Sequence, residues 1–233
     1  MKKLAILSGA GISAESGLKT FRDAGGLWER YPVMQVASYD GWQKDPELVL
    51  NFYNERRKQA HSALPNSGHL RLAQLERWFH VTIITQNVDA LHEKAGSSRV
   101  VHLHGELSKV RSCTDPSYII DIGNKEIHSG DCCPSGGQLR PHIVWFGESV
   151  PLFEEAISLV EEADYFVVIG TSLNVYPAAG LLRYFPLHKP MFVIDPNEVP
   201  VPAYRKAVVI RKGAGEGSAD LMNYLLQMEN ITP

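Results

Sequence analysis

Hydrophobic and polar residues follow two different rhythms along this chain. Six short apolar, β-branched runs stand out: Leu4–Leu7, Val81–Thr85, Val100–Leu103, Tyr165–Ile169, Met191–Ile194 and Ala207–Ile210. Apolar runs of that length, without alternation, mark strands buried on both faces, as in a parallel sheet. Helical spacing takes over at Glu47–Ser62 and Gly68–Phe79, ahead of the second strand, at Phe153–Ala163, ahead of the fourth, and at Ser218–Met228, which closes the chain. Strands alternating with helices predict an α/β fold built on a doubly wound parallel sheet.

Two stretches break the alternation. Residues 25–67 carry helix and loop signals without a convincing strand. Residues 106–140 are rich in Gly, Pro, Ser, Asp and Cys, and only Tyr118–Ile122 looks strand-like. We read both as insertions that together form a small lobe, beside a large lobe of residues 1–24, 68–105 and 141–233. No internal repeat or low-complexity tail interrupts this single unit of 1–233.

Composition narrows the class. A chain of 233 residues, 44% apolar and 21% charged, buries a substantial core and reads as an ordinary globular protein. A net charge of −3 carries no global basic field, so nucleic acid is not an expected partner. Met1-Lys2-Lys3 leads into an apolar run too short for a signal or membrane-spanning segment, and a cytoplasmic location without membrane attachment is the expectation. Three cysteines, Cys113, Cys132 and Cys133, form no C-x-x-C pair; zinc is not expected, although His128 or Asp131 would be available as a further ligand.

The candidate chemistry gathers at strand ends, where open α/β sheets bind ligands. The first strand runs into Gly9-Ala10-Gly11-Ile12-Ser13-Ala14 and continues to Phe21-Arg22-Asp23. Glycines between strand and helix let a pyrophosphate approach the backbone, and a plain tight turn is the alternative. No acidic strand end follows within the usual distance; that carboxylate is instead Asp195, late in the chain, which argues against a hydride-transfer dehydrogenase. Thr85-Gln86-Asn87-Val88-Asp89 ends the second strand, with groups suited to a ribose or carboxamide. A turn plus helix cap, needing only Asp89 for a helix over Ala90–Lys94, is the reading that spacing favours. His102-Leu103-His104-Gly105-Glu106 ends the third strand with both histidines on one face, which suits a general base near neutral pH better than a metal. Phe146-Gly147-Glu148 and Gly170-Thr171-Ser172-Leu173 are further polar turns after apolar runs. Tyr53 and Arg56 share a helix face and suit a carboxylate, although Arg57 and Lys58 make a solvated basic face the reading that spacing favours.

Taken together, these segments resemble the sirtuins, the NAD-dependent protein lysine deacylases, and the arrangement is similar to that of bacterial members. GAGISAESGLKTFRD resembles the family's cofactor-binding loop, TQNVDALH its nicotinamide and ribose segment, HLHGEL its catalytic-histidine motif, IVWFGE its substrate turn, and GTSLNVYPAAG its second nucleotide-binding turn. The resemblance implies a Rossmann-type large lobe, a small lobe and a cleft between them. It implies His104 as general base with Asn87 beside it in the catalytic set. It assigns cofactor binding to Gly9, Ala10, Gly11, Phe21, Arg22, Gln86, Asn87, Asp89, Gly170, Thr171, Ser172, Asp195 and Ala214, and substrate binding to Ala37, Tyr53, Arg56, Val144, Phe146, Gly147 and Val175. Tyr53 and Arg56, with Ala37 widening the acyl pocket, resemble the class that accepts succinyl and malonyl lysine as well as acetyl. NAD would be consumed, with free lysine, nicotinamide and O-acyl-ADP-ribose as products. Asp195 stands where the family often has Asn, and the cysteines depart from the family's zinc ribbon. An NAD glycohydrolase or ADP-ribosyltransferase on the same scaffold is the competing enzyme class, and a non-catalytic NAD-binding module is the third reading.

Overall fold

The computed structural model describes residues 1–19 and 31–232. Six strands, β1 (Lys2–Ser8), β2 (Phe79–Thr85), β3 (Val100–His102), β7 (Tyr165–Ile169), β8 (Met191–Ile194) and β9 (Val208–Ile210), form one sheet in the order β3-β2-β1-β7-β8-β9. All of its pairings are parallel. This is the doubly wound order, which reverses direction between β1 and β7. Successive side chains leave a strand on opposite faces, so Leu4 and Ile6 enter one core while Ala5 and Leu7 enter the other. Both faces are covered by helices, which is why these strands read as unbroken apolar runs.

Eight α-helices are described: α1 (Gly11–Ala14), α2 (Val33–Val36), α3 (Tyr39–Lys44), α4 (Pro46–Ser62), α5 (Ser67–Gln74), α6 (Leu91–Lys94), α7 (Phe153–Glu162) and α8 (Ala214–Met228). Two predicted helices differ from expectation. The pattern over Gly68–Phe79 ends early, at α5 and a 3₁₀ turn over Leu75–Arg77. Phe79 is already strand, its buried ring meeting Tyr165 edge-on at 6.0 Å. In turn, α8 begins at Ala214 rather than Ser218, because Gly215 and Gly217 serve close packing rather than ending the helix. A Cβ on Gly217 would collide with the Ile194 side chain.

A second, antiparallel sheet escaped the sequence pattern except for one strand. It joins β5 (Ile119–Asp121), β4 (Gly105–Ser112) and β6 (Leu139–Ile143) in the order β5-β4-β6. Polar groups tie it to α4. Arg57 Nε donates to the Leu107 carbonyl at 2.6 Å, and Nη1 donates to Asn54 Oδ1 at 2.7 Å. Asn54 in turn exchanges hydrogen bonds with the Ile127 backbone at 2.8 and 3.0 Å. Arg57 is only 2% exposed, so the solvated basic face expected after Tyr53 and Arg56 does not exist at that position. Burial pulls its guanidinium down to about 10, against the pull of Glu126.

Candidate functional site

The turns after β1 and β7 meet where the strand order reverses. Gly9 donates its N–H to the Ile169 carbonyl at 3.0 Å, and Gly11 donates to the Gly170 carbonyl at 2.8 Å. A Cβ at Gly9 would lie 2.6 Å from Thr171 Cβ, and one at Gly11 would lie 2.8 Å from Gly170 Cα. The two glycines therefore allow two backbone turns to touch. Their own N–H groups are already spent, which departs from the phosphate cradle expected at this turn. The helix that follows, α1, is a single turn of four residues.

A cavity of about 860 Å³ opens above this junction. Every described residue expected at the site lines it: Gly9, Ala10, Gly11, Ala37, Tyr53, Arg56, Gln86, Asn87, Asp89, His104, Val144, Phe146, Gly147, Gly170, Thr171, Ser172, Val175, Asp195 and Ala214. Phe21 and Arg22 lie outside the described residues. Asp195 follows β8, and its Oδ1 accepts the Asn197 N–H at 2.9 Å.

Asn87 is held on several sides. Its Nδ2 donates to the Gly9 carbonyl and to Ser13 Oγ, both at 3.1 Å, and its backbone N–H donates to Thr85 Oγ1 at 3.0 Å. A carbonyl only accepts, so the amide orientation is unambiguous. Among the described residues nothing donates to Asn87 Oδ1. Asp89 lines the cavity just before α6. Its Oδ1 accepts the Leu91 N–H at the start of α6 at 3.1 Å, while Oδ2 accepts Ser13 Oγ–H at 3.1 Å in the cavity wall. Burial pushes its carboxyl up, against the pull of those hydrogen bonds.

The two histidines of the third strand end part company. β3 stops at His102, so the alternation that would put both on one face ends there, and only His104 lines the cavity. His104 Nδ1 donates to the Gln86 carbonyl at 3.0 Å, which leaves Nε2 as the ring's lone-pair nitrogen. Burial lowers its pKa, partly offset by the Gln86 contact, so the ring is neutral at pH 7. His102 turns away: Nδ1 lies 3.0 Å from the Asn87 carbonyl and Nε2 lies 2.7 Å from Glu93 Oε1.

Below the cavity floor lies a neutral layer. Ser8 Oγ donates to Thr85 Oγ1 at 2.9 Å and lies 2.9 Å from His92 Nε2, and the His92 ring packs on His69 at 4.9 Å. Both rings are fully buried. Burial drops His69 to about 4, and burial with two neighbouring histidines drops His92 to about 3.

Tyr53 and Arg56 also line the cavity, with the Arg56 guanidinium 6.0 Å from the Tyr53 ring. Trp145 Nε1 donates to the Tyr53 hydroxyl at 3.0 Å, which leaves the phenol O–H to donate elsewhere. Trp145 is fixed in turn: Arg140 lies 3.5 Å over its ring, and Glu148 accepts its backbone N–H at 2.9 Å. Glu148 also receives Arg140 at 2.7 Å and Arg111 at 3.1 Å. Sequence reasoning passed over Ser13 and Trp145. Ser13 sits inside the glycine segment, and a hydroxyl among glycines is the signal that was there to use.

Among the described residues no group of three or more His, Cys, Asp or Glu is placed to hold a metal ion. Cys113 and Cys132 are exposed, and Cys133 is buried with its sulfur 3.3 Å from Ser112 Oγ. No described helix is long and apolar enough to cross a membrane.

Known proteins share both the sequence and the shape. A Sir2 family model matches residues 9–177. An NAD-dependent protein deacylase of Bacteroides thetaiotaomicron is 58% identical over 231 residues, covering 97% of this chain and 99% of its own length. A protein of the same description from Helicobacter pylori is 52% identical over 228 residues, covering 98% and 97%. Among solved structures, a Sir2 homologue mutant bound to ADP-ribose superposes with a TM-score of 0.89 at 37% identity, covering 100% of this chain and 95% of that one. A Sir2 homologue–NAD complex superposes with a TM-score of 0.87 at 38% identity, covering 97% and 90%. The family model spans most of the chain and the curated relatives match nearly all of it, so this chain belongs to the Sir2 family.

Proposed function

We propose that this chain is an NAD-dependent protein lysine deacylase that reads acidic acyl groups, succinyl and malonyl, as well as acetyl. The observation that carries the reading is one cavity lined by His104, by Asn87, to whose Oδ1 no described residue donates, and by the Tyr53–Arg56 pair. The donor and acceptor set fits a dinucleotide. Asn87 Oδ1 and the Asp195 carboxylate accept from ribose hydroxyls, and the volume is near the upper end for small-molecule sites, about 1,000 Å³. Bound NAD supplies the labile bond to nicotinamide and the ribose that receives the acyl group, leaving free lysine and O-acyl-ADP-ribose.

The chain's own residues do four things in this reading. Asn87 and Asp89 orient the ribose nearest nicotinamide. Gln86 and the Gly170–Ser172 turn hold the rest of the dinucleotide. His104, neutral at pH 7, takes a proton from a ribose hydroxyl at Nε2. Arg56 and the Tyr53 O–H bind the distal carboxylate of a succinyl or malonyl group. The peptide backbone adds as a strand between the turn at Phe146–Glu148 and that at Ser172–Val175. Phe146 already bonds Ala37 and Tyr39 through its N–H and carbonyl, so the strand would pair at Gly147, whose backbone bonds no described residue. In the same reading the lobes divide at 1–24, 68–105 and 141–233 against 25–67 and 106–140, with the acyl pocket between them.

Acetyl, succinyl and malonyl peptides, each assayed with NAD, test this directly. Succinyl turnover should exceed or rival acetyl turnover, and His104→Ala should abolish both while the protein stays folded. Unchanged turnover in His104→Ala would overturn the reading.

A further inference from the structure

His102 has an acceptor on each side of its ring. Nδ1 faces the Asn87 carbonyl oxygen at 3.0 Å and Nε2 faces Glu93 Oε1 at 2.7 Å. A carbonyl oxygen cannot donate, and an ionised carboxylate cannot either. Neutral imidazole carries one N–H and can satisfy only one of them. Two N–H groups satisfy both, which makes the ring an imidazolium. Its side chain is 7% exposed, so water does not replace either contact cheaply.

We propose that His102 is a positioning residue, held as an imidazolium that pins the Asn87 carbonyl, and that losing its proton sets the alkaline limit of the reaction. This rests on the deacylase reading of the cavity. Asn87 is fixed by Gly9 and Ser13 through its amide, by Thr85 through its N–H and by His102 through its carbonyl. The His102 contact is the one that depends on pH. When the ring becomes neutral its remaining N–H stays with Glu93, because a charged acceptor makes the stronger hydrogen bond. The Asn87 carbonyl then loses its donor and faces a lone pair.

The surroundings agree with this state. Burial alone would lower His102, but the hydrogen bond and charge of Glu93, the Asn87 carbonyl and the charge of Glu106 outweigh it and raise it. Asp89 faces it as a third carboxylate, and His92, neutral in the core, faces it from α6. Lys109, paired with Glu106 at 2.7 Å, also helps keep the Glu93 carboxylate ionised, although burial opposes this. His104 moves the other way. One ring must be neutral and the other charged, so turnover should rise through the His104 titration below pH 6.5 and fall through the His102 titration above it.

The side-chain geometry offers two separate replacements. In His102→Asn, the amide nitrogen takes the place of Nδ1 and keeps the donor to Asn87 at every pH. In His102→Gln, it takes the place of Nε2 and keeps only Glu93. We expect His102→Asn to retain kcat and lose the alkaline limb. We expect His102→Gln to lower kcat by about 10- to 100-fold with a much smaller change in KM for NAD. Glu93→Gln should move the alkaline limb toward neutral by about one pH unit. Imidazole ¹⁵N NMR of the resting protein supplies an arm independent of turnover, and it should show both His102 nitrogens protonated at pH 7. A neutral His102 in that spectrum overturns the inference whatever the enzyme does. So does an alkaline limb that persists unchanged in His102→Asn. A protein inactive on every acyl peptide but with the doubly protonated spectrum would sink the deacylase reading and leave the protonation state standing.

Discussion

The two sheets of this molecule are held together by different physics. The parallel sheet buries aliphatic residues on both faces, and the polar layer under its first turn, Ser8 and Thr85 on the strands with His69 and His92 on the covering helices, is neutral. The antiparallel sheet and the turn after it rest on charges: Arg57 on the Leu107 carbonyl, and Glu148 between Arg140 and Arg111. Burying neutral groups carries a modest penalty once they are hydrogen-bonded, whereas buried charges demand partners. The difference suits the two jobs. The parallel sheet presents backbone and amides to a dinucleotide, with carboxylates at Asp89 and Asp195. The charged layer fixes Trp145, and through it the Tyr53 phenol in the cavity wall.

The largest way to break this contrast is Glu148→Ala. It strands two guanidinium groups, with the Arg140 side chain 6% exposed, and should cost about 3–5 kcal/mol in urea unfolding. Ile6→Val, in the fully buried centre of β1, should cost only about 0.5–1.5 kcal/mol. If the two losses were equal, the charged layer would not be what holds the small sheet.

Acid probes the neutral layer. His69 and His92 sit below their unfolded value of 6.5, at about 4 and about 3, so the unfolded chain binds more protons as pH falls below 6.5. Their contribution is intact above that pH and is lost on the way down. Between pH 6.5 and 5 each should remove about 2 kcal/mol of stability, and His69→Gln should flatten the fall by about that amount. A pH-independent unfolding free energy across this window would show the layer to be protonated.

The Tyr53–Arg56 pair gives smaller, more specific effects. Arg56→Met should lower kcat/KM for a succinyl peptide by about 10- to 100-fold, through loss of a charged hydrogen bond, while acetyl turnover changes little. An equal loss on both peptides would refute carboxylate recognition. Trp145→Phe removes the donor to the Tyr53 hydroxyl, along with part of the buried ring under Arg140, and should lower the succinyl value by about 3- to 10-fold, again with acetyl spared.

The same contrast explains what was legible in the sequence. All six parallel strands were visible because both faces are apolar, so no register or partner need be known to see them. β4 and β6 were not, since GELSKVRS and LRPHI mix charged residues and a proline among the apolar ones. Their burial comes from long-range partners such as Arg57 that no local pattern announces. In the site, the residues read from motifs converge on one cavity, yet their division of labour needed coordinates. The i, i+2 spacing of His102 and His104 suggested one shared face. The end of β3 and two carbonyl acceptors send the rings to opposite tasks. Gly9 and Gly11 suggest a ligand by their place between strand and helix, and the structure shows a second need for them, contact with the turn after β7.

The most direct test of the central claim, that the cavity spends NAD only to remove an acyl group from lysine, is nicotinamide release with and without an acyl-lysine peptide. We expect release in step with deacylated peptide, negligible loss of NAD when peptide is omitted, and neither in His104→Ala. NAD consumed at the same rate without peptide would contradict the claim and identify a glycohydrolase on this scaffold.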